Sequence, residues 1–163
     1  ARYGRAFEMD VLVWGREGTR QRALEDGLRV AQSQEDLFQS ADVLSLHLRL
    51  LDSTRHAVTL DDLLWMKPGA LLVNTSRAEL IAPGALLTAI SQGRPGFAAL
   101  DVFEDEPLLD PAHPLLNHPR ILCTPHLGYV ERHSYELYFG DAFANLLAYF
   151  KGDQCTLVNP AQG

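Results

Sequence analysis

The chain has 163 residues, 47% of them apolar and 21% charged, which is enough for one compact domain with a sizeable core and tight for two. Fourteen lysines and arginines against 21 acidic residues leave a net charge of −7, so nucleic acid and anionic membrane surfaces are not expected partners. No apolar run approaches the roughly 18 residues that span a bilayer, no secretory pattern opens the chain, and Cys123 and Cys155 form neither a C-x-x-C pair nor a disulfide framework; a cytoplasmic protein with free thiols is expected.

Short runs rich in Val and Leu alternate with helix-like segments, the pattern of a parallel sheet with helices on both faces. In chain order the reading is strand 9–14, helix 20–26, strand 28–31, helix 34–41, strand 43–47, helix 59–66, strand 70–74, helix 83–92, strand 97–102, strand 121–124 and a long helix 130–149. Most of these strands are too short and too uniformly apolar to be half-exposed antiparallel strands. Ser33 and Thr59 are placed to cap the helices that follow them, and Pro83 suits a first turn. Gly27, Gly69 and Gly93 suit left-handed stops. In the last helix Tyr135, Phe139, Phe143, Leu146, Leu147 and Phe150 recur at spacings of three and four, which reads as core packing. Residues 104–119, with four prolines and two histidines, read as a long ordered loop.

In an open parallel sheet, ligands bind beyond the carboxyl ends of the strands. Those ends carry Asn74-Thr75-Ser76-Arg77, Asp101-Val102-Phe103-Glu104-Asp105-Glu106-Pro107 and Thr124-Pro125-His126. Pro125 biases Thr124 towards extended geometry, so the strand delivers His126 at its tip. An imidazole exchanges a proton near neutral pH. Glu106 could fix its tautomer if strands 97–102 and 121–124 are neighbours. Arg77 offers a planar cationic fork for a carboxylate. Together these groups suit reduction of a 2-keto acid. His47, at a strand end, stands where a cofactor could touch the backbone. His113, His118, His126 and His133 lack the spacing of a metal set, and no G-x-S-x-G is present to make a hydrolase elbow.

Ordered along the chain, Ser45-Leu46-His47-Leu48, Met66-Lys67-Pro68-Gly69-Ala70, Val73-Asn74-Thr75-Ser76-Arg77, Ala99-Leu100-Asp101-Val102-Phe103, Asp105-Glu106-Pro107, Thr124-Pro125-His126-Leu127-Gly128 and Val158-Asn159-Pro160 resemble the nicotinamide-binding domain of the D-isomer-specific 2-hydroxyacid dehydrogenases. The resemblance implies a doubly wound, Rossmann-like α/β sheet and interconversion of a 2-keto acid and a D-2-hydroxy acid with NAD or NADP, by a homodimer. It implies catalytic roles for Arg77, Glu106 and His126, places Asp101 near the nicotinamide carboxamide, and lines the cofactor with Leu48, Thr75 and Ser76.

Where the family usually has an acidic residue on the adenine ribose, this chain has Gly15-Arg16, which looks NADP-leaning, although Arg16 on an exposed turn could equally be solvated. Arg49 replaces a usual proline and Ala78 a usual glycine. None of the twelve glycines forms a G-x-G. Residues 1–163 are therefore expected to be a partial dinucleotide-binding domain lacking the first strand, the phosphate loop and the substrate domain. The alternative is a non-catalytic or truncated paralogue acting as a binding or dimerisation module.

Overall fold

Capping chemistry sets where several helices begin. The computed structural model describes residues 1–153, and in it the Ser33 hydroxyl accepts the Asp36 N–H at 3.0 Å to start α3 (Gln34–Ser40). Thr59 and Asp62 exchange a capping box to start α4 (Leu60–Trp65), satisfying two otherwise orphaned N–H groups. Pro83 does not occupy a first turn: Gly84, at φ 70°, is the cap of α5 (Ala85–Ser91), and the proline precedes it. Gly27 and Gly93 adopt the left-handed conformation expected after a helix, whereas Gly69 does not. The chain leaves α4 through Met66 in an extended conformation, so no left-handed stop is needed there.

The remaining elements are α1 (Arg2–Ala6), β1 (Leu12–Val13), α2 (Glu17–Glu25), β2 (Arg29–Val30), β3 (Val43–Leu46), β4 (Leu71–Asn74), a 3-10 turn (Ala78–Leu80), β5 (Phe97–Leu100), β6 (Ile121–Cys123) and α6 (Arg132–Lys151). All six expected strands form, each within its expected range. Cys155 and the Val158-Asn159-Pro160 motif lie outside the described residues.

Every strand pairing is parallel, but the strands fall into two sheets, β1-β2 and β3-β4-β5-β6. In the doubly wound order 3-2-1-4-5-6, removing strand 1 leaves this split. The fold is thus a Rossmann-like α/β sheet without its first strand, a partial domain.

The chain divides into two compact units, Ala1–His126 and a second beginning at Leu127. In the first, Phe38, Leu63 and Ile90 of the helices and Met66 just after α4 pack with Leu44, Leu72 and Leu100 of the strands. Each such side chain contributes roughly 1.5–3 kcal/mol when fully removed from water. Strand burial alternates, with Leu44 and Leu46 buried while Val43 and Ser45 are exposed, and Ala98 and Leu100 buried while Phe97 is exposed. This core gathers on one face of the four-stranded sheet, whose pairings are all parallel.

The second unit has α6 as its one described helix, and none of that helix's residues is buried. Its stripe of Tyr135, Phe139, Phe143, Leu146, Leu147 and Phe150 is therefore not core, because a lone helix cannot bury its own stripe. Tyr135 meets Phe139 in a tilted pair, centroids 5.5 Å apart, and stacks on Tyr129 at 6.4 Å. No helix of the described residues is long and apolar enough to cross a membrane.

Candidate active site

The loop after β4 is shaped from below by Asn74, whose side chain is 1% exposed. Its Nδ2 donates to the Arg77 carbonyl at 2.9 Å and its Oδ1 accepts the Ser76 N–H at 3.1 Å, an Asx-type fold that turns Thr75-Ser76-Arg77 outward. The Ser76 hydroxyl donates to the Leu48 carbonyl at 2.8 Å, tying this loop to the end of β3. Arg77 is exposed and spends one Nη1 bond on the Ser76 carbonyl at 2.6 Å. Ala78 begins the 3-10 turn without a positive φ, so a side chain is tolerated there.

β5 and β6 are adjacent, the condition on which a Glu106–His126 pair depended. His126 Nδ1 and Glu106 Oε2 are 2.7 Å apart. A second anchor holds the carboxylate, since Glu106 Oε1 accepts the Phe103 N–H at 2.9 Å. The His126 hydrogen bond, then the Phe103 N–H, and lastly the charges of His126 and Arg77 keep the Glu106 carboxyl below the usual glutamate range. Ionised, Glu106 can only accept, so Nδ1 carries the proton and Nε2 is left as the atom that can exchange one.

The backbone at His126 is itself unusual. Thr124 N–H extends the ladder to the Leu100 carbonyl, and the His126 N–H then folds back on the Thr124 carbonyl at 3.0 Å, with His126 at φ 53°. A residue other than glycine held there costs of order 1–3 kcal/mol, and such outliers cluster at functional sites. Asp101, 4% exposed, accepts from the Thr124 hydroxyl, while its N–H bonds the Asn74 carbonyl at 3.0 Å. Asp101 thus locks the ends of β4, β5 and β6 to one another.

The other candidates are placed unevenly. His47 follows β3 directly, exposed, with Nε2 3.0 Å from the Ser45 hydroxyl. Leu48 packs partly into the core, and Thr75 is exposed. Arg16 caps α2 at the end of β1, in the smaller sheet. His113 and His118 each turn Nδ1 to a backbone N–H two residues on, which fixes them as loop-forming groups. A cavity of about 220 Å³ lies beneath the loop after β5, walled by Asn74, Leu86, Leu100, Phe103 and His113, and Arg77, Glu106 and His126 do not line it.

Asn74 and Thr124 are the positioning residues that sequence reasoning passed over. The available signal was an Asn two residues before Ser at a strand end, where an Asx turn forms readily.

A dinucleotide fits these residues in part. Exposed Thr75 and His47 and buried Asp101 offer polar groups at the carboxyl ends of β3–β5, and Arg16 offers a cation beyond β1. The pyrophosphate turn that would join the two ends is not among the 163 residues, since none of the glycines forms a G-x-G.

Comparisons with known proteins identify the family. Residues 1–128 match the family model described as D-isomer specific 2-hydroxyacid dehydrogenase, NAD binding domain. The chain is 39% identical over 152 residues to glyoxylate reductase of Aeropyrum pernix, covering 93% of this chain and 45% of that protein. It is 37% identical over 128 residues to D-3-phosphoglycerate dehydrogenase of Bacillus subtilis, covering 78% and 24%. Among solved structures, a phosphoglycerate oxidoreductase from Vibrio cholerae is 53% identical with a TM-score of 0.86, covering 93% of this chain and 48% of that one. An oxidoreductase from Ralstonia solanacearum is 56% identical with a TM-score of 0.91, covering 98% and 46%. The chain spans about half the length or less of these relatives. With a family match over 128 of its residues and a Glu–His pair formed at the expected strand ends, the chain belongs to the D-isomer specific 2-hydroxyacid dehydrogenase family, as part of its NAD-binding domain.

Proposed function

We propose that this chain is the cofactor-binding part of an oxidoreductase that interconverts a 2-keto acid and a D-2-hydroxy acid, with NAD or NADP. The observation that carries the reading is the Glu106–His126 pair at 2.7 Å. The nicotinamide cofactor would supply the reducing equivalents. Arg77 presents the free part of its fork to the substrate carboxylate. His126 Nε2 gives its proton to the keto oxygen during reduction and takes it back during oxidation. Glu106 accepts from Nδ1 throughout, fixing the ring plane. Asp101 would meet the nicotinamide end, and Leu48, Thr75, Ser76 and His47 would flank the cofactor. Gly15-Arg16, with no carboxylate to repel a 2′-phosphate, supports acceptance of NADP.

The test is His126→Ala in the protein carrying the upstream segment with its glycine turn. Turnover with keto acids should fall by roughly 10²–10⁴-fold, the effect of a lost general acid, with the Tm retained. Full turnover in that variant would refute the assignment. An extended protein that binds neither cofactor would instead favour a non-catalytic module.

A further inference from the structure

The cavity of about 220 Å³ beneath the loop after β5 takes no part in the proton chemistry above it. Leu86 and Leu87 of α5, Leu100 of β5 and Leu115 of the loop that follows wall it. The polar side chains in its walls away from solvent are already spent, since the Asn74 amide bonds the Arg77 carbonyl and the Ser76 N–H, and His113 Nδ1 accepts the Leu115 N–H at 3.3 Å. Water needs about two to four polar partners to settle in such a space, so these walls favour an apolar occupant. Close-packed interiors leave few voids larger than a water molecule, and filling one recovers dispersion contacts along its whole lining. A cavity of about 150 Å³ lined by Leu, Ile and Phe takes up benzene, so this one has room for a molecule of that size or somewhat larger.

The cavity meets solvent where its lining residues are exposed, at Gly84 and at the pair Glu104 and Asp105. Among the described residues no lysine or arginine lines it, so its entrance is negative. A carboxylate such as a keto acid is disfavoured there, whereas an ammonium group finds two carboxylates that can only accept. Two of its walls also belong to the candidate site. Phe103 lines the cavity while its N–H holds Glu106 Oε1 at 2.9 Å, and Asn74 lines it while folding the loop that presents Arg77.

We propose that this cavity is a binding site for a small apolar amine, with its hydrocarbon body between α5 and the loop after β5 and its ammonium group against Glu104 and Asp105, and that the occupant braces Phe103 and through it the Glu106–His126 pair. The site is separate from the one proposed for the keto acid, so amine binding needs neither cofactor nor substrate. Removing the alkyl body from water supplies the attraction. The exposed carboxylates supply selectivity for charge more than affinity, because exposed ion pairs are weak.

The experiment is calorimetric titration of the upstream-extended protein with probes of one shape and different charge: isoamylamine, isoamyl alcohol and isovalerate. The amine should bind saturably with a Kd of roughly millimolar or below, about two- to tenfold more tightly than the alcohol, and isovalerate more weakly than either. Ala82→Leu, which fills the cavity from a half-buried wall position, should weaken amine binding at least about tenfold with Tm retained. The surface double variant Glu104→Gln/Asp105→Asn leaves the core untouched and should bring the amine level with the alcohol. At saturation the amine should shift the carboxyl carbon resonance of Glu106 and leave that of Asp62, in the α4 capping box, in place. The proposal is overturned by the absence of saturable amine binding, by equal affinity for amine and isovalerate, or by unchanged amine affinity in a folded Ala82→Leu protein. If Ala82→Leu does not fold, the double variant decides, and an amine preference that survives in it overturns the proposal. A Glu106 resonance unmoved at saturation removes the link to the Glu106–His126 pair. None of these outcomes bears on the oxidoreductase reading, which stands or falls with His126→Ala.

Discussion

If Arg77 meets the substrate carboxylate as proposed, truncating Asn74 should lower both stability and substrate binding. Asn74→Ala removes the donor to the Arg77 carbonyl and the acceptor for the Ser76 N–H. Each backbone group left unpaired costs about 1–3 kcal/mol when water cannot replace the partner. The loop is only partly buried, so water recovers part of this, and a net loss of about 2–3 kcal/mol is expected for the two groups together. Asn74 also walls the cavity of about 220 Å³, so truncation enlarges an existing void rather than letting the loop collapse.

For a chain of this size each kcal/mol shifts Tm by roughly 2–4 °C, so calorimetry should show a fall of about 5–10 °C. The loop also presents Arg77. In the upstream-extended protein KM for a 2-keto acid should rise about tenfold, equivalent to about 1.4 kcal/mol of lost carboxylate binding, with a smaller change in kcat because Glu106 and His126 sit on other strands' ends. An Asn74→Ala protein with unchanged Tm and unchanged KM would show that the Asx fold does not hold Arg77. A fall in kcat with KM preserved would show that Asn74 acts on the His126 side instead.

Because Glu106 is held below the usual glutamate range in the folded protein, its contribution to stability is complete above the unfolded value near 4.3 and is lost as pH falls through the lower folded value. Carbon-detected NMR of its carboxyl should titrate below about 4.3 and move upward in His126→Ala; a midpoint at or above the ordinary value would contradict the pairing. At Gly96 a Cβ would overlap the Pro68 carbonyl oxygen, so Gly96→Ala should cost at least about 1–3 kcal/mol, and thermal melting that leaves Tm unmoved would show that the turn before β5 yields freely. The 163-residue chain alone should bind NADH weakly, and supplying the upstream strand and glycine turn should tighten binding at least tenfold, about 1.4 kcal/mol; micromolar binding by these residues alone would show that the phosphate contacts lie elsewhere.

The strands were legible because Val- and Leu-rich runs bounded by Gly and Asn leave few alternatives. Their ends were less so, since the ladder stops where a neighbour stops: residues 9–14 shrink to Leu12–Val13 because only β2 flanks them. Glu106 and His126 were legible as a pair once their strands were taken as neighbours. Their supporting groups were not, because the Phe103 N–H and the Asn74 amide act through backbone geometry that residue type alone does not encode. The stripe on α6 shows the opposite error. Helical periodicity identifies an apolar face, but says nothing of whether the described chain supplies a surface to cover it.

The split between the sheets divides the candidate site by task. Arg77, Glu106, His126 and the residues that position them, Asn74, Asp101 and Thr124, all stand at the ends of β4–β6, whose pairing is complete without the absent strand. The groups proposed to meet a dinucleotide are distributed otherwise, with His47, Leu48, Thr75 and Asp101 beyond the larger sheet and Arg16 beyond the smaller one. No strand pairing fixes the distance between those two sets among the described residues. The Glu106–His126 geometry is therefore held by the larger sheet alone, whereas no pairing among the described residues joins β1 to β3. On the proposed function, a variant at the Glu106–His126 pair should act on turnover whichever cofactor is bound, and one at Arg16 on cofactor choice, because the first set is braced by its own sheet and the second stands beyond a sheet not paired with it.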